Sequence, residues 1–223
     1  MTAQIETLSA IPYFGGIGPA DLGAIKDSFF EKAMERGGLI LAEEEASDVL
    51  YFIVSGAVKL FKTSADGKEQ IIDIARPGQA INDVPFFDGG PNLFGAQAMG
   101  AVVLYGVSKS DLERILQRYP QITQNANRIM AWQARRLTAL VEDLSFKPVI
   151  GRVAKILLEH SEDSPATRPK LTQQEMAAMA GTAREVVGRS LKSLAEEGVI
   201  RLERNRLVIR DKKALKEIVA AFS

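Results

Sequence analysis

Apolar positions change their rhythm along the chain, and each rhythm predicts a different kind of element. Between about Leu39 and Val107 they come in short runs: Leu39 to Leu41, Val49 to Val54, Ala57 to Phe61, Ile71 to Ile74, Ala96 to Met99 and Val102 to Val107. Runs of that length, broken by glycine and proline, predict β-strands. Ser55-Gly56, Ala65-Asp66-Gly67 and Arg76-Pro77-Gly78 supply the turns, because glycine tolerates positive φ and proline presets the first turn residue. So many short strands predict a barrel or jelly roll whose inner face closes around side chains or a small ligand.

Beyond Ser110 the spacing becomes helical. Ser110-Asp111 offer a cap ahead of Leu112, Ile115 and Leu116, and after Tyr119-Pro120 a long helix is predicted from about Gln121 to Leu144. On it Met130, Gln133, Leu137, Leu140 and Leu144 lie 3, 4, 3 and 4 residues apart, flanked by Ile129 and Val141. That is a coiled-coil spacing, and it fits either packing on the helix's own barrel or a parallel seam with a second copy. Phe146, Lys147 and Pro148 end the helix and form a hinge, because proline removes a helical donor and disfavours helix in the residue before it.

The third rhythm, Leu171 to Val199, predicts a helix-turn-helix. Thr172 with Glu175 and Thr182 with Glu185 read as two Thr-x-x-Glu capping boxes, with Ala180-Gly181 as the turn between two short helices. Met176, Ala177, Met179, Val186, Val187, Leu191 and Leu194 face inward at helical spacing. Arg184, Glu185, Arg189 and Lys192 remain outside, with the first two at the start of the second helix, where a recognition helix meets base edges. Gly188 between them suits close approach to a duplex or packing on the first helix. Charge on a helix by itself describes a solvated face; the segment that follows adds to it. Val199 to Glu203 and Arg206 to Arg210 alternate apolar and charged residues around Arg204-Asn205, a hairpin wing that brings Arg201, Arg204, Arg206 and Arg210 beside the second helix as phosphate contacts. Thr172, Gln173, Thr182, Arg184, Glu185, Arg189, Lys192, Arg204 and Arg206 are the expected DNA-contacting set.

Composition narrows the classes of function. The 223 residues carry 28 basic and 28 acidic side chains and no net charge, so attraction to nucleic acid must come from segregation of charge. From Lys147 to Ser223 there are 15 Lys and Arg against 10 Asp and Glu, which makes the helix-turn-helix end the basic one. The absence of cysteine excludes disulfides, iron-sulfur clusters and zinc fingers. With one histidine, His160, and no paired carboxylates or Ser-His-Asp set, no catalytic or metal-ligating residues are expected, and the chain does not read as an enzyme. The stretch MTAQIETLSAIPYF lacks the basic and apolar regions of a signal peptide, and no apolar run approaches a membrane span; a cytoplasmic protein with no membrane partner is expected.

Tyr51-Phe52-Ile53-Val54-Ser55-Gly56, Asp66-Gly67-Lys68-Glu69, Pro77-Gly78, Phe87-Asp88-Gly89-Gly90, Gly151-Arg152-Val153 and above all Arg184-Glu185-Val186-Val187-Gly188-Arg189 resemble the cAMP receptor protein / fumarate-nitrate regulator family of bacterial transcription factors. The resemblance runs over almost the whole chain. It implies an α+β fold with an N-terminal jelly-roll β-barrel of the cyclic-nucleotide-binding type over residues 1-118, a dimerisation helix over 119-146 and a winged helix-turn-helix over 147-223. The partners it implies are double-stranded DNA, a second copy of the chain, RNA polymerase and a small-molecule effector, in an activator that reads a TGTGA-like inverted repeat. Arginine suits guanine O6 and N7, and glutamate accepts from cytosine N4.

The ligand loop departs from the family. Cyclic-nucleotide-binding members hold the ribose with a glutamate and the phosphate with an Arg-Ser pair, whereas Ile81 to Met99 reads INDVPFFDGGPNLFGAQAM. Asp83 stands near the glutamate's place, but Leu93 and Phe94 fall where arginine and serine belong, so a cyclic phosphate would meet no cation. Three sensors remain open. One is an apolar or neutral effector other than cAMP, held among Asn82, Asp83, Asn92, Leu93, Phe94, Met99, Ile129 and Trp132; another is a haem ligated by methionine or a backbone nitrogen; the last is a filled roll with no ligand.

Overall fold

The structure, a computed structural model, describes residues 3–162, 171–203 and 206–221. It divides into two compact units, Met1–Lys62 with Asp73–Arg136 and Thr63–Ile72 with Leu137–Ser223. The chain opens with two short helices that the sequence patterns did not predict, α1 (Ile5–Ser9) and α2 (Pro19–Ile25). Strands β1 (Phe29–Met34), β2 (Leu39–Leu41), β3 (Val49–Ser55), β4 (Val58–Thr63), β5 (Glu69–Ala75) and β6 (Ala80–Ile81) follow. A short helix α3 (Asp83–Asp88) separates them from β7 (Gly95–Ala98) and β8 (Val102–Ser108).

These strands form two four-stranded sheets, in the orders β1-β8-β3-β6 and β2-β7-β4-β5. The jelly-roll expectation holds. Six of its strands lie on the apolar runs, while β1 and β6 escaped notice: FFEKAM has no clean alternation, and β6 is two residues long. In the central pairing Leu50 faces Val107 and Phe52 faces Tyr105. The turn after β3 requires its glycine, since Gly56 has φ +85° and a Cβ there would lie 2.4 Å from the Ala101 carbonyl oxygen.

Alternation sends one face of the strands into the sandwich, where Ile53, Val58, Leu60, Ala96 and Leu104 are buried. The other face of β3 and β8 presents Leu50, Phe52 and Val107 to a second core shared with the N-terminal helices. Tyr13, Phe14, Phe29 and Phe52 interlock there, with Tyr13 and Phe52 edge to face at 5.3 Å. Burial of each such ring contributes roughly 1.5 to 3 kcal/mol.

Helix α4 (Lys109–Arg118) starts earlier than the Ser110-Asp111 cap predicted. Its N-cap is Ser108, whose Oγ accepts from the Asp111 amide at 3.1 Å. Ser108 ends β8 with the extended backbone that an N-cap needs, and Ser110 is already helical. Helix α5 (Pro120–Phe146) runs 27 residues from a proline at its first position. Only Lys147 and Pro148 separate it from α6 (Val149–Glu162).

The remaining elements are α7 (Gln173–Ala180), α8 (Arg184–Glu196), β9 (Ile200–Glu203), β10 (Arg206–Ile209) and the unanticipated α9 (Lys212–Ala220). Asp211 caps α9 by accepting from the Lys213 and Ala214 amides, each at 2.9 Å. The core beneath is the predicted inward set, with Met176, Ala177, Val187, Leu191 and Leu194 packed on Val153, Leu157 and Leu215. Met179 sits partly buried at its margin. The winged helix-turn-helix expectation holds for the described residues; the turn at Arg204-Asn205 lies outside them.

Candidate nucleic-acid interface and effector region

Helix α7 begins with a complete capping box: Thr172 Oγ1 accepts from the Glu175 amide at 3.1 Å, and Glu175 Oε2 accepts from the Thr172 amide at 2.6 Å. It ends at Gly181, whose φ of 61° reverses the chain. The second capping box does not form. The Thr182 amide instead donates to the Ala177 carbonyl at 3.1 Å, which makes Thr182 part of the closing turn of α7. Helix α8 starts one residue later, from Ala183, with no side-chain cap. Its first amides therefore lack a side-chain acceptor, and the positive end of its dipole stays available to a phosphate.

Arg184 and Glu185 occupy the first two positions of α8, and Arg189 follows one turn further along; all three are exposed. None makes an ion pair or side-chain hydrogen bond among the described residues. Lys192 is exposed and pairs with Glu196 at 3.7 Å, an arrangement worth little in water. Ser190 is buried and donates to the Val186 carbonyl at 3.0 Å, whereas Val186, expected to face inward, is half-buried and lies outside the core cluster. A Cβ at Gly188 would meet only Gln173 Oε1, at 3.8 Å, so packing does not require glycine there.

Thr172 and Gln173 lie exposed at the start of α7, and Thr182 half-buried in the turn. Strand β9 pairs with β10 in the register Arg201 to Val208 and Ile200 to Ile209. Arg201 is exposed and pairs with Glu203. Arg204 and the Arg206 side chain fall outside the described residues.

The hinge carries a buried ionic cluster that sequence reasoning missed. Asp143 receives Lys147 at 2.9 Å and also Lys155. Burial pushes the Asp143 carboxyl up, but the hydrogen bonds and charges of the two lysines outweigh it and hold the group below its ordinary value. Beside it the Arg152 guanidinium donates to the Lys147 carbonyl at 2.6 Å and to the Ala180 carbonyl at 2.7 Å.

In the N-terminal unit the expected effector residues have different surroundings, and only Ile129 and Trp132 line the cavity described below. Asn82 is buried with φ 76° and donates to the Val49 carbonyl at 3.2 Å, and Asn92 donates to the Ala42 carbonyl at 2.8 Å. Leu93 is exposed, Phe94 packs on the sandwich core and Met99 is buried. Asp83 is buried, with Oδ2 accepting from the Tyr13 hydroxyl at 2.8 Å and from Gln133 Nε2 at 3.0 Å. Burial and then the neighbouring Asp83 push the Tyr13 phenol far above its ordinary value, so it remains a donor. Gln133, expected in the seam, is thus held by its own roll, and Met130 packs partly on the first core.

Ile129 and Trp132 do line a cavity of about 320 Å³, together with Tyr13, Ala80 and Arg128. Tyr13 was invisible as a site residue because its partner Asp83 is 70 positions away. Arg128, one helical turn before Trp132, was within reach of i, i+4 reasoning. The lining does not fit a haem: it offers no imidazole, thiolate or thioether, and its one phenol is bonded to Asp83. Among the described residues no cluster of His, Cys, Asp and Glu could hold a metal ion, and no helix is long and apolar enough to cross a membrane.

Comparison with known proteins agrees with both units. Residues 31–119 match the model of the cyclic nucleotide-binding domain, and residues 151–218 match the Crp-like helix-turn-helix domain. The CRP-like cAMP-activated global transcriptional regulator of Mycobacterium tuberculosis is 32% identical, over 94% of this chain and 97% of that protein. The cyclic AMP receptor protein of Thermus thermophilus is 30% identical, over 93% and 96%. Among solved structures, FixK2 from Bradyrhizobium japonicum superimposes with a TM-score of 0.78 at 24% identity, covering 87% of this chain and 99% of that one.

Proposed function

The chain belongs to the Crp/Fnr family of DNA-binding transcription regulators and is not an enzyme; from that premise we propose that it acts as a homodimer on an inverted repeat with TGTGA-like half-sites, under an effector other than cAMP. The observation that carries the reading of DNA is the exposed set Arg184, Glu185 and Arg189 on the first two turns of α8, unengaged by the protein among the described residues. Each arginine suits a guanine, Glu185 suits a cytosine amine, and the uncapped start of α8 favours a nearby phosphate.

Two copies are needed because one helix spans only a half-site, and half-sites one helical turn apart require recognition helices about 34 Å apart. The apolar side chains Leu137 and Val141, exposed on α5, support a seam between copies. RNA polymerase is the further partner expected of such a regulator.

The relatives named above carry cAMP in their names, which makes that nucleotide the first effector to weigh. Three features speak against it. Asp83 already accepts two hydrogen bonds from the protein, Leu93 and Phe94 offer no charge, and Arg136 is held by Asp73 through two contacts of 2.7 Å. A phosphate buried there without a cation would cost several kcal/mol.

A gel shift at moderate salt tests the reading, using a TGTGA inverted repeat and a scrambled duplex, each with and without cAMP. Retention of the repeat by roughly a thousandfold or more over the scramble is expected, unchanged by cAMP. Equal retention of the two duplexes would remove the sequence assignment, and stimulation by cAMP would remove the effector assignment.

A further inference from the structure

We propose that the cavity bounded by Pro12, Tyr13, Ala80 and the Arg128 to Trp132 face of α5 binds a small aromatic carboxylate. The proposal rests on reading the N-terminal unit as an effector domain and names the effector's chemical class. The site lies apart from the Leu93-Phe94 loop, where a family phosphate grip would stand, because neither residue lines it.

Size and lining set the ligand. A volume of about 320 Å³ is at the low end of ligand pockets, ~300 to 1,000 Å³, and suits a single ring with a short acid arm better than a nucleotide. Pro12, Ala80, Ile129 and the Trp132 indole give apolar walls. Trp132 is held in place although 48% exposed, because the Arg136 guanidinium sits 4.9 Å from the ring centroid and is itself bonded to Asp73. A fixed indole beside a proline is a stacking surface for a flat ring.

The polar groups then select the charge. Tyr13 and Gln133 donate to Asp83, and Gln79 accepts from the Arg76 amide at 2.7 Å, so the floor of the cavity is already bonded to the protein. Arg128 is different. It is exposed at the rim and makes no ion pair or hydrogen bond among the described residues. A guanidinium fork matches a carboxylate in two parallel hydrogen bonds. Asp83, behind Tyr13 and Gln133, opposes an anion at the floor, so the ring enters first and the carboxylate stays at Arg128. Leu137 and Val141 lie roughly half a turn round α5 from Arg128 and Trp132, which leaves the cavity face outside the seam of the proposed dimer.

Trp132 is the only tryptophan in the chain, so its fluorescence reads this cavity directly. Titration of the full chain with benzoate and phenylacetate, excited at the red edge of the indole band, is expected to give saturable changes, with benzamide binding at least about tenfold more weakly, the loss of one charged hydrogen-bonding partner. Arg128→Gln should bring benzoate down to the level of benzamide, and Arg128→Lys should restore part of the preference; circular dichroism checks that both variants fold. Equal binding of benzoate and benzamide to the wild type, or no saturable change with either acid, would overturn the proposal. Gel shifts with and without benzoate separate the two readings: binding that leaves operator affinity unchanged supports the site and overturns its effector role, whereas absence of binding overturns the site and leaves DNA recognition standing.

Discussion

In the C-terminal unit Arg184, Glu185 and Arg189 stand exposed and unengaged among the described residues, while in the N-terminal unit Asn82, Asp83 and Asn92 are buried and bonded to the protein itself. The contrast follows from what each unit is proposed to recognise. A duplex is large and rigid, so its reader needs only a displayed surface, and residues of that surface have no packing role to obscure them. A pocket must enclose its ligand, and polar groups lining an interior are bonded internally unless a ligand takes them.

That contrast can be tested from either side. The largest effect is expected from Leu137→Glu, which would bury a carboxylate in the proposed seam at a cost of several kcal/mol; sedimentation should show a monomer, and operator affinity should fall more than about a hundredfold. A dimer that survives would remove the seam. Asp83→Ala comes next. It strips the acceptor from the buried Tyr13 hydroxyl and from Gln133, and urea denaturation followed by Trp132 should show a loss of about 2 to 4 kcal/mol with sequence preference on DNA intact.

Arg184→Ala and Arg189→Ala should do the reverse. Each is expected to cost about 1 to 3 kcal/mol of operator binding and relax base preference, with stability changed by less than about 0.5 kcal/mol. Smaller again is Gly188→Ala. Its Cβ has room in the free protein, so helix stability should rise by up to about 1 kcal/mol, while operator affinity falls if the backbone must approach the duplex. The smallest effect is the acid response of the hinge. Because the Asp143 carboxyl is held below its ordinary value of 3.8, its contribution to stability is full above that value and disappears only as pH falls beneath it. In Asp143→Asn this component of the acid transition should vanish.

How far the sequence could be read divides along the same line. The first capping box, the left-handed Gly181, the inward face of α8 and six of the roll's strands are local patterns, and they appear where their spacing put them. The second capping box failed because Gly181 and Thr182 close α7 together, and that closure competes for the residue that would have capped α8. Helices α1, α2 and α9 are short amphipathic pieces stabilised by cores assembled from distant strands and helices, which no window of the sequence contains. The bonds of Asp83 to Tyr13 and Gln133 span 70 and 50 positions and carry no local signal at all. The seam was legible as a spacing, yet only the fold shows Gln133 turned back to its own roll and Leu137 and Val141 left outside.

The Arg152 guanidinium has a mechanical consequence. It holds the carbonyl of Lys147, at the end of the long helix, and that of Ala180, at the end of the helix before the reading head, with bonds of 2.6 and 2.7 Å. Such a side chain is a strut across a joint of two residues. Swinging α7 away from the end of α5 would break at least one of these bonds, so the joint at Lys147 and Pro148 is braced by a side chain as well as by the chain itself.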